Sequence, residues 1–232
     1  MTPADFSRLT HTRLSESPYL VHPVLRDLAM GRYPTEAVRS IVLHLEPLAR
    51  RQPVIISGAI ASLAPAEQAE LSGMAEDPTE RQLAYEQMCR LLALTPAIFR
   101  QSLVLPELDG YLLALGSVSL YGPIVKLLGA LWAVEMQTAA GNPLLIEAVR
   151  HHPPLSVIDP GAALPAPRAC NTALPEAVYR HIGDDLSRKL VIEGTDLVLR
   201  LRYNVWQAIQ TELQSYTQRF GAASIWTAVP SH

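Results

Sequence analysis

Ile124-Val-Lys-Leu-Leu-Gly-Ala-Leu-Trp-Ala-Val-Glu135-Met-Gln-Thr-Ala139 is the stretch that decides the fold class. It is apolar almost all round, and a helix of that kind belongs in the middle of a core with neighbours on every side. One carboxylate interrupts it. Glu135 is costly in such a place unless something pairs with it.

On either side of this segment the apolar period is helical nearly everywhere, with little strand-like alternation. Upstream, Ser17-Pro18 predicts a helix that carries Leu20, Val24, Leu25 and Leu28 and stops at Gly31. Pro34-Thr35 opens a second that runs to about Leu63, with Pro47 and Pro53 expected to kink or divide it. Further starts are marked by Ala64-Pro65, Asp77-Pro78 and Pro106-Glu107, and Thr95-Pro96 caps a short segment. Downstream, five prolines between Pro153 and Pro167 predict an irregular connector. Leu174-Pro175 then starts a helix through His181 that Gly194 is expected to end, and Thr195-Asp196 opens the last one. The expectation is a single all-α domain over residues 1–232, a compact bundle of seven or eight helices.

Composition narrows the function classes. A chain of 232 residues that is 49% hydrophobic and 18% charged can bury a large core. Its net charge of −3 argues against nucleic acid as a partner. No run of about 18 uninterrupted apolar residues is present, so no membrane span is expected. The opening Met1-Thr-Pro-Ala-Asp-Phe6 lacks the basic-then-apolar pattern of a signal peptide. Cys89 and Cys170 form no CxxC pair, and a reduced, cytoplasmic protein is expected.

The chemistry-bearing segment is Tyr179-Arg-His181-Ile-Gly-Asp-Asp185-Leu-Ser-Arg188. Read as one helix, it puts His181 and Asp185 on one face, with Arg188 a turn further on. Two readings stand side by side. Glu135, His181 and Asp185 can supply carboxylate and imidazole ligands to iron in a bundle core, with Glu76 or Glu80 bridging to a second ion. Alternatively Arg188 neutralises the carboxylates and His181 makes a buried hydrogen bond. Glu46, between Leu45 and Leu48, is either an inward-facing base or the partner of Arg50 four residues on. Tyr121, Tyr179 and Tyr203 are either pocket walls that touch substrate or plain core. An arginine fork such as that of Arg188 suits a carboxylate, so an amino-acid-like substrate is expected.

His22-Pro-Val-Leu-Arg-Asp-Leu-Ala-Met-Gly31-Arg-Tyr-Pro34, followed by Leu43-His-Leu-Glu46-Pro-Leu-Ala-Arg50-Arg-Gln-Pro53, resembles the opening of haem-oxygenase-like proteins. That superfamily includes thiaminase-like proteins, the pyrroloquinoline-quinone biosynthesis oxidase, and iron oxidases related to the chlamydial death-domain-associating protein. In the resemblance Glu135 falls at the iron oxidases' central-helix glutamate. His181 and Asp185 match the first two positions of their His-x-x-x-Asp-x-x-His signature. Trp206 resembles a tryptophan of the terminal helix in the quinone-biosynthesis branch. Two departures stand out. Arg188 occupies the last signature position, and Ala75-Glu76-Asp77-Pro-Thr-Glu80-Arg81 offers acids but no histidine. The resemblance implies an oxygen-dependent oxidase of a small biosynthetic molecule, with non-haem iron, molecular oxygen as co-substrate and no haem. The alternatives are a metal-free oxidase like the quinone-biosynthesis branch, or a non-catalytic binding protein on the same fold. A homodimer formed through an apolar helix face is expected.

Overall fold

The computed structural model describes residues 2–72, 78–95, 97–98, 104–151 and 173–224, and all regular structure among them is helical. The proline connector, Glu76, Cys170 and the side chain of Glu80 lie outside the described residues. Among the described residues there are ten helices rather than seven or eight. One reason is α1 (Pro3–Ser15), which the sequence reading passed over. Its start is a capping box: Thr2 accepts from the Asp5 amide and the Asp5 carboxylate accepts from the Thr2 amide. Phe6, Thr10 and Leu14 form its buried stripe.

The next helix begins at Pro23, not Pro18. In α2 (Pro23–Ala29), His22 is the N-cap, its Nδ1 accepting from the Val24 amide at 3.2 Å. Gly31 ends this unit in the left-handed region, φ +64, as its residue type predicts. The expected long second helix is two helices, α3 (Thr35–His44) and α4 (Glu46–Ala61), divided at Leu45. Pro47, in the first turn of α4, has no N–H to continue the ladder from α3. Pro53 is carried inside α4. Then follow α5 (Pro65–Leu71), α6 (Pro78–Leu91) and α7 (Pro106–Tyr121).

The central helix is α8 (Ile124–His151), longer than its apolar core suggests and carrying Pro143 inside it. Leu128, Ala130, Leu131, Trp132 and Ala133 are sealed from solvent. It packs against α1, α2, α7, α9 (Ala173–His181) and, most extensively, α10 (Asp185–Ser224). The contacts climb α8 and α10 in the same direction. Lys126 Nζ lies 3.4 Å from Glu193 Oε2, Gln137 Nε2 donates to Leu199 O, and Arg202 donates to Thr138 Oγ1. The two helices are therefore parallel.

Their backbones nearly touch. A Cβ placed on Gly129 would lie 2.3 Å from Val191 O, and one on Gly194 only 2.1 Å from Lys126 O. Gly194 thus does not end a helix, as its type suggested. It sits within α10 because the neighbouring backbone occupies the space of its missing side chain. The expected helix through His181 is instead broken at residues 182–184. There Asp184 Oδ1 accepts from the Ser187 amide at 2.7 Å and starts α10. Hydrogen bonding from Ser187 holds the Asp184 carboxyl below the usual carboxylate range. No helix among the described residues is long and apolar enough to cross a membrane.

Candidate functional site

The break at residues 182–184 separates the residues read from the sequence as one set. His181 closes α9 and points its Nε2 at Glu67 Oε1 of α5, 3.3 Å away. Glu67 Oε2 is buried beside this pair and accepts no hydrogen bond. Asp185 opens α10 with its carboxylate 98% exposed, 2.9 Å from Arg188 Nη1. His181 and Asp185 therefore do not share a helix face, which corrects the one-helix reading. Glu135 is half-buried on α8. Among the described residues no group of three or more His, Cys, Asp or Glu side chains is arranged to hold a metal ion. The set Glu135, His181 and Asp185 does not fit iron as drawn from the sequence, because one ligand faces another carboxylate and another faces water.

The remaining candidates also scatter. Glu46 pairs with Arg50 at 2.9 Å and lies along an outer groove between α4 and α7. Tyr121 stands at the same groove, 84% exposed, and Tyr179 is exposed on α9. Cys89 is buried on α6, and burial pushes its thiol up to about 11, so it packs as an inert thiol at neutral pH. Its neighbour Tyr85 donates to Val42 O at 2.6 Å.

Tyr203 is the exception. It lines a small chamber between α2, α8 and α10, together with His22, Gln137, Asn142, Arg202 and Trp206. His22 Nδ1 is spent on capping α2, which leaves Nε2 as the N–H that donates to Gln207 Oε1 at 3.3 Å. Burial lowers its pKa, against the opposing pull of that hydrogen bond. The imidazole lies 4.5 Å from the Tyr203 ring, and Tyr19 meets Tyr203 edge-on at 5.3 Å.

Polar capacity concentrates on the α8 side. Gln137 spends its amide on Tyr19 O (3.0 Å) and Leu199 O (3.2 Å), tying the segment before α2 to α10. Its Oε1 is buried with no hydrogen-bond partner among the described residues, an arrangement that normally costs about 1–3 kcal/mol. Arg202 reaches Thr138 Oγ1 at 3.2 Å and Val134 O at 3.5 Å. As it stands the chamber has about 20 Å³, room for one water. Tyr19, exposed on the non-helical stretch between α1 and α2, forms one wall.

At that size the chamber presents the Arg202 guanidinium and the Gln137 carbonyl, an acceptor, to a group no larger than a water, between aromatic faces. Proton abstraction is not offered by His22, whose two nitrogens are both engaged. The sequence reading missed Gln137, Asn142 and Arg202. A signal was present: Arg202 is a cation on a helix face between Val198, Val205 and Ile209, the same anomaly that singled out Glu135.

No protein-family model matches the chain, and no curated protein matches it. Among solved structures it is similar to the TenA homologue protein from P. horikoshii OT3. The TM-score is 0.58 and the identity 19%, over 89% of this chain and 97% of that one. The likeness is one of fold: the TenA-type, haem-oxygenase-like helical bundle.

Proposed function

We propose that the protein is an enzyme that oxidises a small, acidic, flat biosynthetic molecule with molecular oxygen, in the chamber of Arg202, Gln137 and Tyr203. The observation that carries this reading is the buried, unspent carbonyl of Gln137 beside an inward guanidinium. A substrate whose carboxylate lies against Arg202 and whose own N–H or O–H donates to Gln137 Oε1 would satisfy that buried carbonyl, and Tyr19 would swing out to admit it. Holding a substrate as its electron-rich anion is what a site without metal can contribute to oxidation by oxygen. In balance, the substrate loses two electrons and two protons, and oxygen becomes hydrogen peroxide. The likeness in fold to a TenA homologue supports an enzyme of small molecules.

Oxygen uptake with peroxide detection tests this, using a panel of small aromatic and enolic carboxylates with Arg202→Gln beside wild type. One compound should consume oxygen and yield peroxide one for one, insensitive to chelators. Arg202→Gln should raise its KM by about tenfold, the loss of one charge-assisted contact. A compound that raises the wild-type Tm but takes up no oxygen would leave a binding protein. A second reading keeps iron and moves it: the described ligands would be His181 and Glu67, whose free Oε2 favours a cation there. Iron retained after anaerobic ferrous loading by wild type and lost in Glu67→Gln would select that reading.

A further inference from the structure

The α7 helix is apolar on both sides, although the described residues bury only one of them. Leu108, Tyr111, Leu112, Leu115 and Val118 are buried against the bundle. On the opposite face Leu113 is 67% exposed, Leu120 74% and Tyr121 84%. This face borders the 790 Å³ groove whose other wall is α4, with Val54 also exposed. A helix that is apolar all round calls for a cover on both sides.

The order of residues on that face names the cover. Leu113, Gly116, Ser117 and Leu120 fall at helical spacing, and their pattern reads the same from either end. Turning a second α7 antiparallel about the point between Gly116 and Ser117 brings Leu113 of one copy beside Leu120 of the other. The small pair crosses itself at the centre. A Cβ on Gly116 or Gly110 would meet nothing within 4 Å, so the notch is open. The charges agree. The groove end holds Glu46 with Arg50, and Arg51 with Asp109 at 2.6 Å, two acids and two bases that present no net charge to an identical face. A partner of strong charge of either sign would gain nothing there. A two-fold contact requires a surface that complements itself, and this one does.

We propose that the α4–α7 face is the interface of a two-fold homodimer in which α7 pairs antiparallel with α7 of a second copy about Gly116 and Ser117. The same rotation brings the second copy's Tyr121 level with Leu112, towards Arg51, where a guanidinium can lie on its ring.

Sedimentation velocity on the purified chain tests the assembly. Wild type should run at twice 25.4 kDa, and Leu120→Glu and Ser117→Arg should each run at 25.4 kDa with unchanged far-UV circular dichroism. Cysteine crosslinking tests the direction. Leu113→Cys mixed with Leu120→Cys should give an oxidised dimer, with the parent chain as background. Leu113→Cys alone should not, because like positions lie about 10 Å apart along the axis. A monomeric wild type, or a dimer untouched by both folded surface variants, overturns the interface. Crosslinking of like with like overturns the antiparallel register.

Discussion

At the α8–α10 seam a Cβ added to Gly129 or Gly194 would come within 2.3 or 2.1 Å of a carbonyl oxygen of the other helix. At Gly58 on α4, or Gly110 and Gly116 on α7, it would meet nothing within 4 Å. The residue type is the same and the physical meaning opposite. In the first region glycine is a contact, and its loss pushes two packed helices apart. In the second it is vacant surface, and within the monomer its flexibility only weakens the helix that holds it. A glycine inside a helix thus reports either a close approach or an open notch, and only the neighbouring element says which.

Substitution can break this contrast or sharpen it. Gly194→Ala should be the most damaging, costing about 3 kcal/mol or more even after alanine's helix advantage of about 1 kcal/mol. A denaturant midpoint close to wild type would mean that the two helices sit further apart than described. Tyr111→Phe comes next. It removes the buried hydrogen bond to Gln52 Oε1 that joins α7 to α4, and chemical denaturation should show a loss of about 1–2 kcal/mol.

Acid should weaken the protein by way of two imidazoles that contact α10. Burial lowers the pKa of His22 despite Gln207, and that of His44 despite the opposing charge of Glu212. Below about 6.5 the unfolded chain takes up protons that the folded chain refuses. Stability is therefore full above that pH and falls as pH drops towards the folded values. Melts at pH 7.5 and 5.5 should show the fall, and His22→Asn, which keeps an N-cap, should reduce it. An unchanged pH slope in that variant would mean His22 titrates as in the unfolded chain.

The smallest effects belong to the open side. Gly58→Ala should raise stability by about 0.5–1 kcal/mol. Arg50→Ala, losing a pair in which the arginine is exposed and Glu46 half-buried, should cost less than about 1 kcal/mol by the same denaturation assay.

Features whose causes lie within one turn were legible in the sequence. Pro47 announced the division between α3 and α4, Gly31 its own left-handed turn, and Glu46 its pairing with Arg50. The Thr2–Asp5 capping box was equally local, and α1 was missed by neglect of it rather than for want of a signal. Features made by distant neighbours were not legible. Gly194 reads as a helix stop until Lys126 O is placed against it. His181 and Asp185 keep a ligand spacing in the sequence that Gly183 and the Asp184 cap abolish in space. Gln137 gave no sign of its own, because an amide at the edge of an apolar helix becomes informative only when its carbonyl is found walled in.

The parallel pairing of α8 and α10 has a consequence during synthesis. Hydrogen-bonded partners across that seam lie 62 to 68 residues apart in the chain. At translation rates of about 5–20 residues per second, the newly made α8 waits roughly 3–14 s for its main cover. Throughout that wait the side of α8 that α10 covers stays open, although α1, α2 and α7 are already made. Production of this protein should accordingly depend on chaperone supply more than on the stability of the finished fold.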